Sequence, residues 1–318
     1  MVSIVLIFLV STRTEVGGGP DYSDYYYYFY NGATTIDKEI GYSLLNKIIY
    51  IIFNDFNIFM IIVGILIVAG RIIYIYRYSP LMLISLLTYY SGNYLTYDFD
   101  VFRQGIALSI ILVFSMKYLE QDNIKYFIIS VIIATSFHLS AIVFILAYFM
   151  KKIKINRKIY LISVSVAIIF GITNIISIPL SILKYIPYER VQLKYYQYLA
   201  NAQGLSALNI GFFVDLILVI LLIITYNNLK DKYKLPTKLF LLAFVGQCLL
   251  IRYPSGRLLL YFTFSKVVLF SVVLCEWKSI FIKYSYTVAI IGYSVLKFIS
   301  SYNSPTNAIE YYKSFFFK

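Results

Sequence analysis

The sequence predicts an all-α protein, a polytopic transmembrane helix bundle of about 9–11 membrane segments. Hydrophobic residues make up 60% of the chain and charged residues 14%, whereas a soluble domain carries about 25% charged residues. Apolar stretches long enough to cross ~30 Å of hydrocarbon recur along the whole length. Lys and Arg give a net charge of +13 but cluster in short loops, as in membrane proteins, so we do not expect nucleic acid as a partner. Residues 1–318 are therefore predicted to form a single integral membrane domain.

The order of apolar and polar stretches predicts the elements. Met1–Val10 is apolar but too short to cross a bilayer at ~1.5 Å per residue, and it lacks the basic start and cleavage site of a signal peptide. We expect it to be the last part of a membrane helix. A polar loop rich in Gly and Tyr is predicted over 11–47. Residues 48–76 are predicted to contain a span, and residues 126–150 form a further apolar segment. Further spans are predicted at about 81–95, 103–118, 159–180, 209–226, 239–252, 257–276 and 280–299.

Basic residues assign the sides of the membrane. The Lys- and Arg-rich loops are predicted to be cytoplasmic; they are 71–80, 117–125, 151–158 and 227–238. Alternation then predicts extracytoplasmic loops at 11–47, 92–103 and 181–208, with a short outer turn at 252–257.

Segment 126–150 breaks this alternation. It has basic loops at both ends yet too few residues for two spans of ~20 each. Either it is a bent, partly re-entrant hairpin with His138 near its apex, or it is one span and one basic loop faces outward. We favour the hairpin.

Arg103 and His138 are the strongest candidates for function. Arg103 begins an apolar helix at its outer end, and a guanidinium can bind a phosphate through two hydrogen bonds. The alternative is an arginine that extends to the membrane interface. His138 is the only histidine of the chain and lies in an apolar run. An imidazole there can act as a general base or bind a phosphate oxygen, or it can be a buried histidine that packs between helices.

Further charged residues fall on the predicted outer side or inside spans. Arg252 and Arg257 flank the turn between two spans, where two arginines depart from the positive-inside rule. Asp215 lies within a predicted span, and an intramembrane carboxylate needs a partner, for which we expect an arginine. Two acidic pairs can bind sugar hydroxyls, assist deprotonation, hold a cation, or simply be solvated; they are Asp21 with Asp24 and Asp98 with Asp100.

Other residue types suggest little chemistry. The two cysteines, Cys248 and Cys275, lie in apolar segments without the spacing of a disulfide or metal site, and we expect neither a metal nor a cofactor. The 34 tyrosines and 25 phenylalanines are expected mainly at the membrane interfaces, with sugar stacking as a second possibility.

The order of several short motifs resembles the EpsG-type family of polysaccharide polymerases, which are similar to Wzy-type O-antigen and capsule polymerases. The resemblance covers about residues 11–265, and its most specific part is Arg-Gln followed some 30 residues later by Phe-His-x-Ser-Ala. The matching residues are Arg13, Val16-Gly17, Asp21-Tyr22, Asp24-Tyr25, Glu39-Ile40-Gly41-Tyr42, Leu44-Leu45-Asn46, Phe102-Arg103-Gln104-Gly105-Ile106-Ala107, Phe137-His138-Leu139-Ser140-Ala141, Arg257 and Tyr261-Phe262.

The resemblance implies a membrane glycosyltransferase of the bacterial inner membrane, with an active site that faces the periplasm. Such enzymes transfer a growing glycan from undecaprenyl pyrophosphate to the next lipid-linked repeat unit, in O-antigen, capsule or exopolysaccharide synthesis. Membrane lipid and a chain-length regulator protein are further expected partners. His138, Arg103 and Arg257 are the implied catalytic residues, and the implied substrate-binding residues are Arg13, Asp21, Asp24, Asp98, Asp100, Gln104, Arg252 and Tyr261.

Two other functions remain open at this stage. A flippase or transporter of lipid-linked oligosaccharide would also need interior arginines, but it predicts internal repeats and charges on both sides of the midplane, which the sequence does not clearly show. A membrane acyltransferase that modifies a surface glycan would use the histidine as its base. It would give no reason for several outer arginines.

Overall fold

The computed structural model is helical and confirms the predicted all-α class. It describes residues 2–14, 21–32, 39–175, 177, 181–185, 187, 189–200, 209–253, 255–303 and 312–315. Within these ranges the extended pairing is limited to an isolated β-bridge between Arg13 and Ser314. The chain divides into two compact units, Met1–Leu146 with Phe270–Lys318, and Ala147–Leu269. The single integral membrane domain stays a prediction.

The helices are numbered in chain order. They are α1 (Val2–Ser11), α2 (Tyr22–Asn31), α3 (Ile40–Phe53), α4 (Phe56–Tyr78), α5 (Met82–Tyr89), α6 (Phe102–Glu120), α7 (Ile124–Phe137), α8 (Leu146–Lys152), α9 (Arg157–Ile172), α10 (Glu189–Ala200), α11 (Ile210–Thr225), α12 (Asp231–Leu249), α13 (Gly256–Thr263), α14 (Lys266–Glu276) and α15 (Ile280–Tyr302). A π-helical segment, Tyr90–Asp98, continues α5, and a 3-10 helix, Leu139–Ile145, follows α7.

Several helices are suited to a membrane, so the chain is a polytopic membrane protein. In the part that the structure describes, α4, α6 and α11 with its extension to Asn228 are long and apolar enough to cross a bilayer, and α13 with α14 forms a fourth candidate bent by 43°. Helix α4 lies in the segment 48–76 predicted to contain a span, and the other candidates match the predicted spans at 103–118, 209–226 and 257–276. Helices α1, α3 and α7 are apolar but shorter.

The N-terminal third differs from the predicted loop. Segment 11–47 contains α2 and the start of α3 rather than an irregular loop. Segment 48–76, predicted to contain a span, holds the end of α3 and most of α4, because Asn54 ends α3 in the left-handed region with φ 49°, and the span is α4. Asn adopts this conformation more easily than most other residues. Because apolar stretches lie on both sides of Asn54, the sequence pattern does not indicate that a helix ends here. Segment 92–103 is also largely helical, because the π-helical segment reaches Asp98.

Helices α4 and α6 form the centre of the first unit and run in the same direction. Ser109 Oγ donates to the carbonyl of Ile67 at 3.1 Å, and towards the other end Tyr78 donates to Glu120. The helices approach closely at Gly70, where a Cβ would lie 2.9 Å from Ser109 Cα. Small residues permit such close packing in membrane proteins.

The chain reverses at His138, which confirms the predicted bent hairpin. Helix α7 ends at Phe137, and His138 is extended with φ −156° and ψ 119°. The rings of Phe127 and Phe144 lie 6.3 Å apart, whereas a straight helix would separate residues 17 apart by about 25 Å. Thr135 and Ser136 donate to carbonyls of the preceding turn. Such bonds weaken a helix near its end.

A buried ion pair ties α4 to the end of the π-helical segment. Arg71 NH2 donates to Asp98 Oδ1 at 2.9 Å, and both side chains are 1% exposed. Tyr89 donates to the other oxygen of Asp98 at 2.6 Å. The negative charge of Asp98 is thus compensated at both of its carboxylate oxygens, as burial requires.

In the second unit α9 packs against α12, where the Tyr160 hydroxyl donates to the carbonyl of Leu241 at 3.1 Å. Asp215 on α11 is buried and pairs with Lys266 at 2.9 Å. Gln247 lies 3.4 Å from the same carboxylate. The expected partner of Asp215 was an arginine; the partner is a lysine because α14 begins beside this turn of α11.

Candidate functional site

Arg103 is held at the start of α6 by a carboxylate from another part of the chain. Its NH1 donates to Glu39 Oε2 at 2.6 Å. The Tyr25 side chain on α2 shares a second hydrogen bond with the same guanidinium. Arg103 is 26% exposed and Glu39 18% exposed, so the pair is partly shielded yet reachable. The contact with Glu39 fixes the position of the guanidinium, and the role of Arg103 in binding a phosphate stays a prediction.

His138 belongs to the same cluster. Its Nδ1 lies 3.4 Å from Glu39 Oε1, and the ring is 24% exposed. The carboxylate of Glu39 therefore stands between the two residues that the sequence singled out, with one oxygen towards each. The structure brings together Arg103 and His138, which are 35 residues apart in the sequence, through an acid from a third segment.

A close approach of two helices places Glu39 beside His138. Glu39 precedes the first residue of α3, and Gly41 lies in the first turn. A Cβ on Gly41 would meet the side chain of Ser136 and come within 3.0 Å of its carbonyl oxygen. Glycine therefore permits α3 to touch the last turn of α7, directly before His138.

The electrostatics of the cluster keep Glu39 ionised. Burial alone would raise the pKa of its carboxyl, but His138, Arg103 and the backbone N–H of Glu39 outweigh burial and lower the pKa to about 2. Burial also raises the pKa of Tyr25 to about 12, against the opposing effect of Arg103. At neutral pH the cluster thus contains a carboxylate, a guanidinium and a neutral phenol.

A stack of side chains lies behind this cluster. The ring of Tyr25 stacks on Phe102 with centroids 4.4 Å apart. The guanidinium of Arg13 lies 4.6 Å from the Phe102 centroid and 5.1 Å from that of Phe99, within the range of cation–π attraction. Arg13 is fully buried. In this conformation Arg13 packs against the stacked rings. Its sequence-predicted role in substrate binding stays a prediction.

The predicted acidic residues separate into three environments. Asp98 is buried in its ion pair with Arg71, and its sequence-predicted role in substrate binding stays a prediction. Asp100 accepts a hydrogen bond from the backbone N–H of Asp21 at 3.2 Å, and so joins the start of α2 to the turn before α6. Asp24 is exposed on α2.

The remaining predicted residues have other surroundings. Gln104 is fully buried next to Arg103 in α6. In the second unit, the Arg252 guanidinium donates twice to the carbonyl of Ile172, at 2.7 and 3.1 Å, and so caps the end of α9. Arg257 is exposed in the first turn of α13, and Tyr261 is buried.

Sequence reasoning missed Glu39 and Tyr25 as members of the cluster. Both occur in the motifs quoted above. Glu39 directly precedes an apolar helix, where a charged residue of a membrane protein is a candidate for function. Sequence reasoning also missed the pairing of Arg71, which was expected where the span in 48–76 ends and the basic loop 71–80 begins but lies inside α4. The rule that an intramembrane charge needs a partner, applied to Asp215, would have identified Arg71 as well.

Comparison with known proteins identifies the family. No curated protein and no solved structure matches the chain. A sequence model of the EpsG family matches residues 1–314. This family is associated with glycosyltransferase-type polymerase activity in the synthesis of surface polysaccharide. Because the match extends over almost the whole length, the chain belongs to the EpsG family.

Proposed function

We propose that this protein polymerises lipid-linked oligosaccharide repeat units, transferring the growing glycan from undecaprenyl pyrophosphate to the next lipid-linked unit. The observation that carries the proposal is the partly exposed cluster of Arg103, His138 and Glu39 at the meeting point of α3, α6 and α7. It combines a fixed cation with a titratable base, which are the two groups that glycosyl transfer from a pyrophosphate needs. The family supports a polymerase over the alternatives.

The proposed reaction uses each group once. The bond between the anomeric carbon and the pyrophosphate oxygen breaks, and its electron pair stays on that oxygen. Arg103 stabilises the charge that develops on the leaving pyrophosphate. The acceptor hydroxyl forms the new glycosidic bond, and its proton passes to His138. Lipid pyrophosphate leaves with the negative charge.

Location and partners belong to the same proposal. The cluster faces the periplasm of a bacterial inner membrane, membrane lipid surrounds the chain, and a chain-length regulator protein is a further partner. Arg257 would contribute a second cation, and the partly exposed Asp21 and Asp100 and the exposed Asp24 would contact sugar hydroxyls. A flippase and an acyltransferase remain as alternatives, and deletion of the gene distinguishes among the three functions.

Deletion of the gene tests the function in the cell. We expect the surface-glycan ladder on a gel to disappear while a single repeat unit is retained, with restoration by the wild-type gene. Loss of every band would indicate a flippase. An intact ladder with altered acylation of the glycan would indicate an acyltransferase.

In vitro polymerisation of purified lipid-linked repeat units tests the base. His138→Ala, His138→Asn and His138→Gln should each lower the rate by roughly 10²–10⁴-fold, because none of them can accept the proton. Partial rescue by Asn or Gln would instead assign His138 to hydrogen bonding. A wild-type rate for His138→Gln would move the base to Asp21 or Asp100.

A further inference from the structure

Glu39 makes two contacts that the proposed reaction does not use. Its two carboxylate oxygens face two different groups, Arg103 at 2.6 Å and His138 at 3.4 Å. The nitrogen of His138 that faces Glu39 is Nδ1. The other ring nitrogen, Nε2, is the one left for a substrate.

The chemistry of imidazole determines which nitrogen of His138 carries the proton in this arrangement. In a neutral imidazole one nitrogen carries a proton and the other can accept one, and the hydrogen bond that one nitrogen makes selects the form. Glu39 is ionised because its pKa is lowered, and an ionised carboxylate only accepts. A carboxylate beside Nδ1 therefore favours the proton on Nδ1 and leaves Nε2 as the base.

We propose that Glu39 is a positioning residue, which fixes His138 as the Nδ1-protonated form and holds the Arg103 guanidinium beside it. This inference rests on the proposed function for its catalytic consequence, but the effect on the imidazole is independent of any activity. When Nε2 takes the proton of the acceptor hydroxyl, the Glu39 carboxylate also stabilises the imidazolium that forms, as in other carboxylate–histidine pairs. At 3.4 Å the Nδ1 atom does not yet form a hydrogen bond with the carboxylate, and such contacts commonly shorten when substrate binds.

The single histidine makes the proposal directly measurable. The protein is labelled with ¹⁵N-histidine and purified with a histidine-free tag, and the two imidazole nitrogens are observed by NMR near neutral pH. We expect the wild type to show a protonated Nδ1. Glu39→Gln should shift the population towards a protonated Nε2, and Glu39→Asp should restore part of the wild-type spectrum. Glu120→Gln is the matched control, since Glu120 accepts a hydrogen bond from Tyr78 outside the cluster.

Two NMR results would overturn the proposed effect of Glu39 on the imidazole of His138. One is a wild-type imidazole spectrum in Glu39→Gln, and the other is a shift of equal size in Glu120→Gln. Glu39→Asp retains the charge, so it provides the comparison even where the amide variant is recovered poorly.

A double-mutant cycle tests the catalytic consequence. Glu39→Gln should lower kcat by about 10²-fold or more in the wild-type background, but by less than about threefold when His138 is already alanine, because residues that act through one another are not additive. Equal losses in both backgrounds would overturn a role through His138. If the imidazole responds to Glu39 while even the wild type makes no polymer, the proposed function fails and the positioning of His138 by Glu39 stands.

Discussion

At the scale of single residues, the charge state of one acid organises the cluster. Glu39 stays ionised because a guanidinium and an imidazole compensate its burial. Arg103 supplies a planar cation, which Glu39 binds at NH1. Lysine offers the same charge without the fork of donors, so the two residues are not interchangeable here.

Arg103→Lys should therefore insert and fold normally but lose about 10²–10³-fold in turnover, which is the cost of removing one preorganised donor from a developing charge. Polymerisation in vitro measures the loss. Arg157→Lys is the control, because Arg157 is exposed at the start of α9. Full activity of Arg103→Lys would show that this arginine only anchors the helix end.

The lowered pKa of Glu39 also predicts how stability depends on pH. The carboxyl titrates near 4.5 when unperturbed and at about 2 in the folded protein. Its contribution to the free energy of unfolding is therefore complete above pH ~5 and is lost as pH falls through 4.5 towards 2. We expect the difference in Tm between wild type and Glu39→Gln to be largest at neutral pH and to shrink under acid. A difference that grows on acidification would contradict the ion pair.

At the scale of the elements, the cluster depends on how closely α3 approaches α7. Gly41 meets Ser136 in the last turn of α7, and His138 follows two residues later. The break after α7 is equally important, because a continuous helix through 138 would carry the imidazole away from the chain reversal. Two local backbone features thus bring the acid and the base together.

Gly41→Ala should separate α3 from α7 and lower turnover more than it lowers Tm, since the neighbour it meets includes backbone as well as a side chain. Gly292→Ala is the matched control. Nothing lies within 4 Å of a Cβ at that position in α15, so alanine there should leave turnover unchanged and raise stability by about 0.5–1 kcal/mol. Equal turnover in the two variants would show that the contact is not needed.

At the scale of the whole molecule, the basic loops predict the sides of the membrane. The positive-inside rule predicts 151–158 and 227–238 in the cytoplasm and 11–47 and 181–208 outside. The reversal at His138 removes the parity problem that 126–150 raised, because a hairpin returns the chain to the side on which it entered.

Cysteine labelling in intact cells tests this topology. With Cys248 and Cys275 replaced by serine, Ser23→Cys should react with an impermeant thiol reagent from outside, and Ile155→Cys only after the membrane is opened. Reaction of both positions from outside would refute the predicted sides while leaving the helical fold unaffected.

The sequence by itself determined the class of the protein. Hydropathy gives the bundle, because burial in lipid requires long apolar helices whose backbone groups are paired internally. It also identified the reversal near His138, Arg103 as a candidate, and the spans at 103–118, 209–226 and 257–276, since each depends on composition or on short-range pattern.

Only the tertiary structure decided which charges meet. The pairings of Glu39 with Arg103 and of Asp98 with Arg71 join residues 64 and 27 positions apart. No local pattern distinguishes Asp98, which is buried in an ion pair, from Asp100 two residues later. The division of 48–76 at Asn54 depends on one backbone conformation inside an apolar run. Contacts of this kind arise from the packing of α3, α4, α6 and α7 against one another, and so they depend on separation in space rather than on order along the chain.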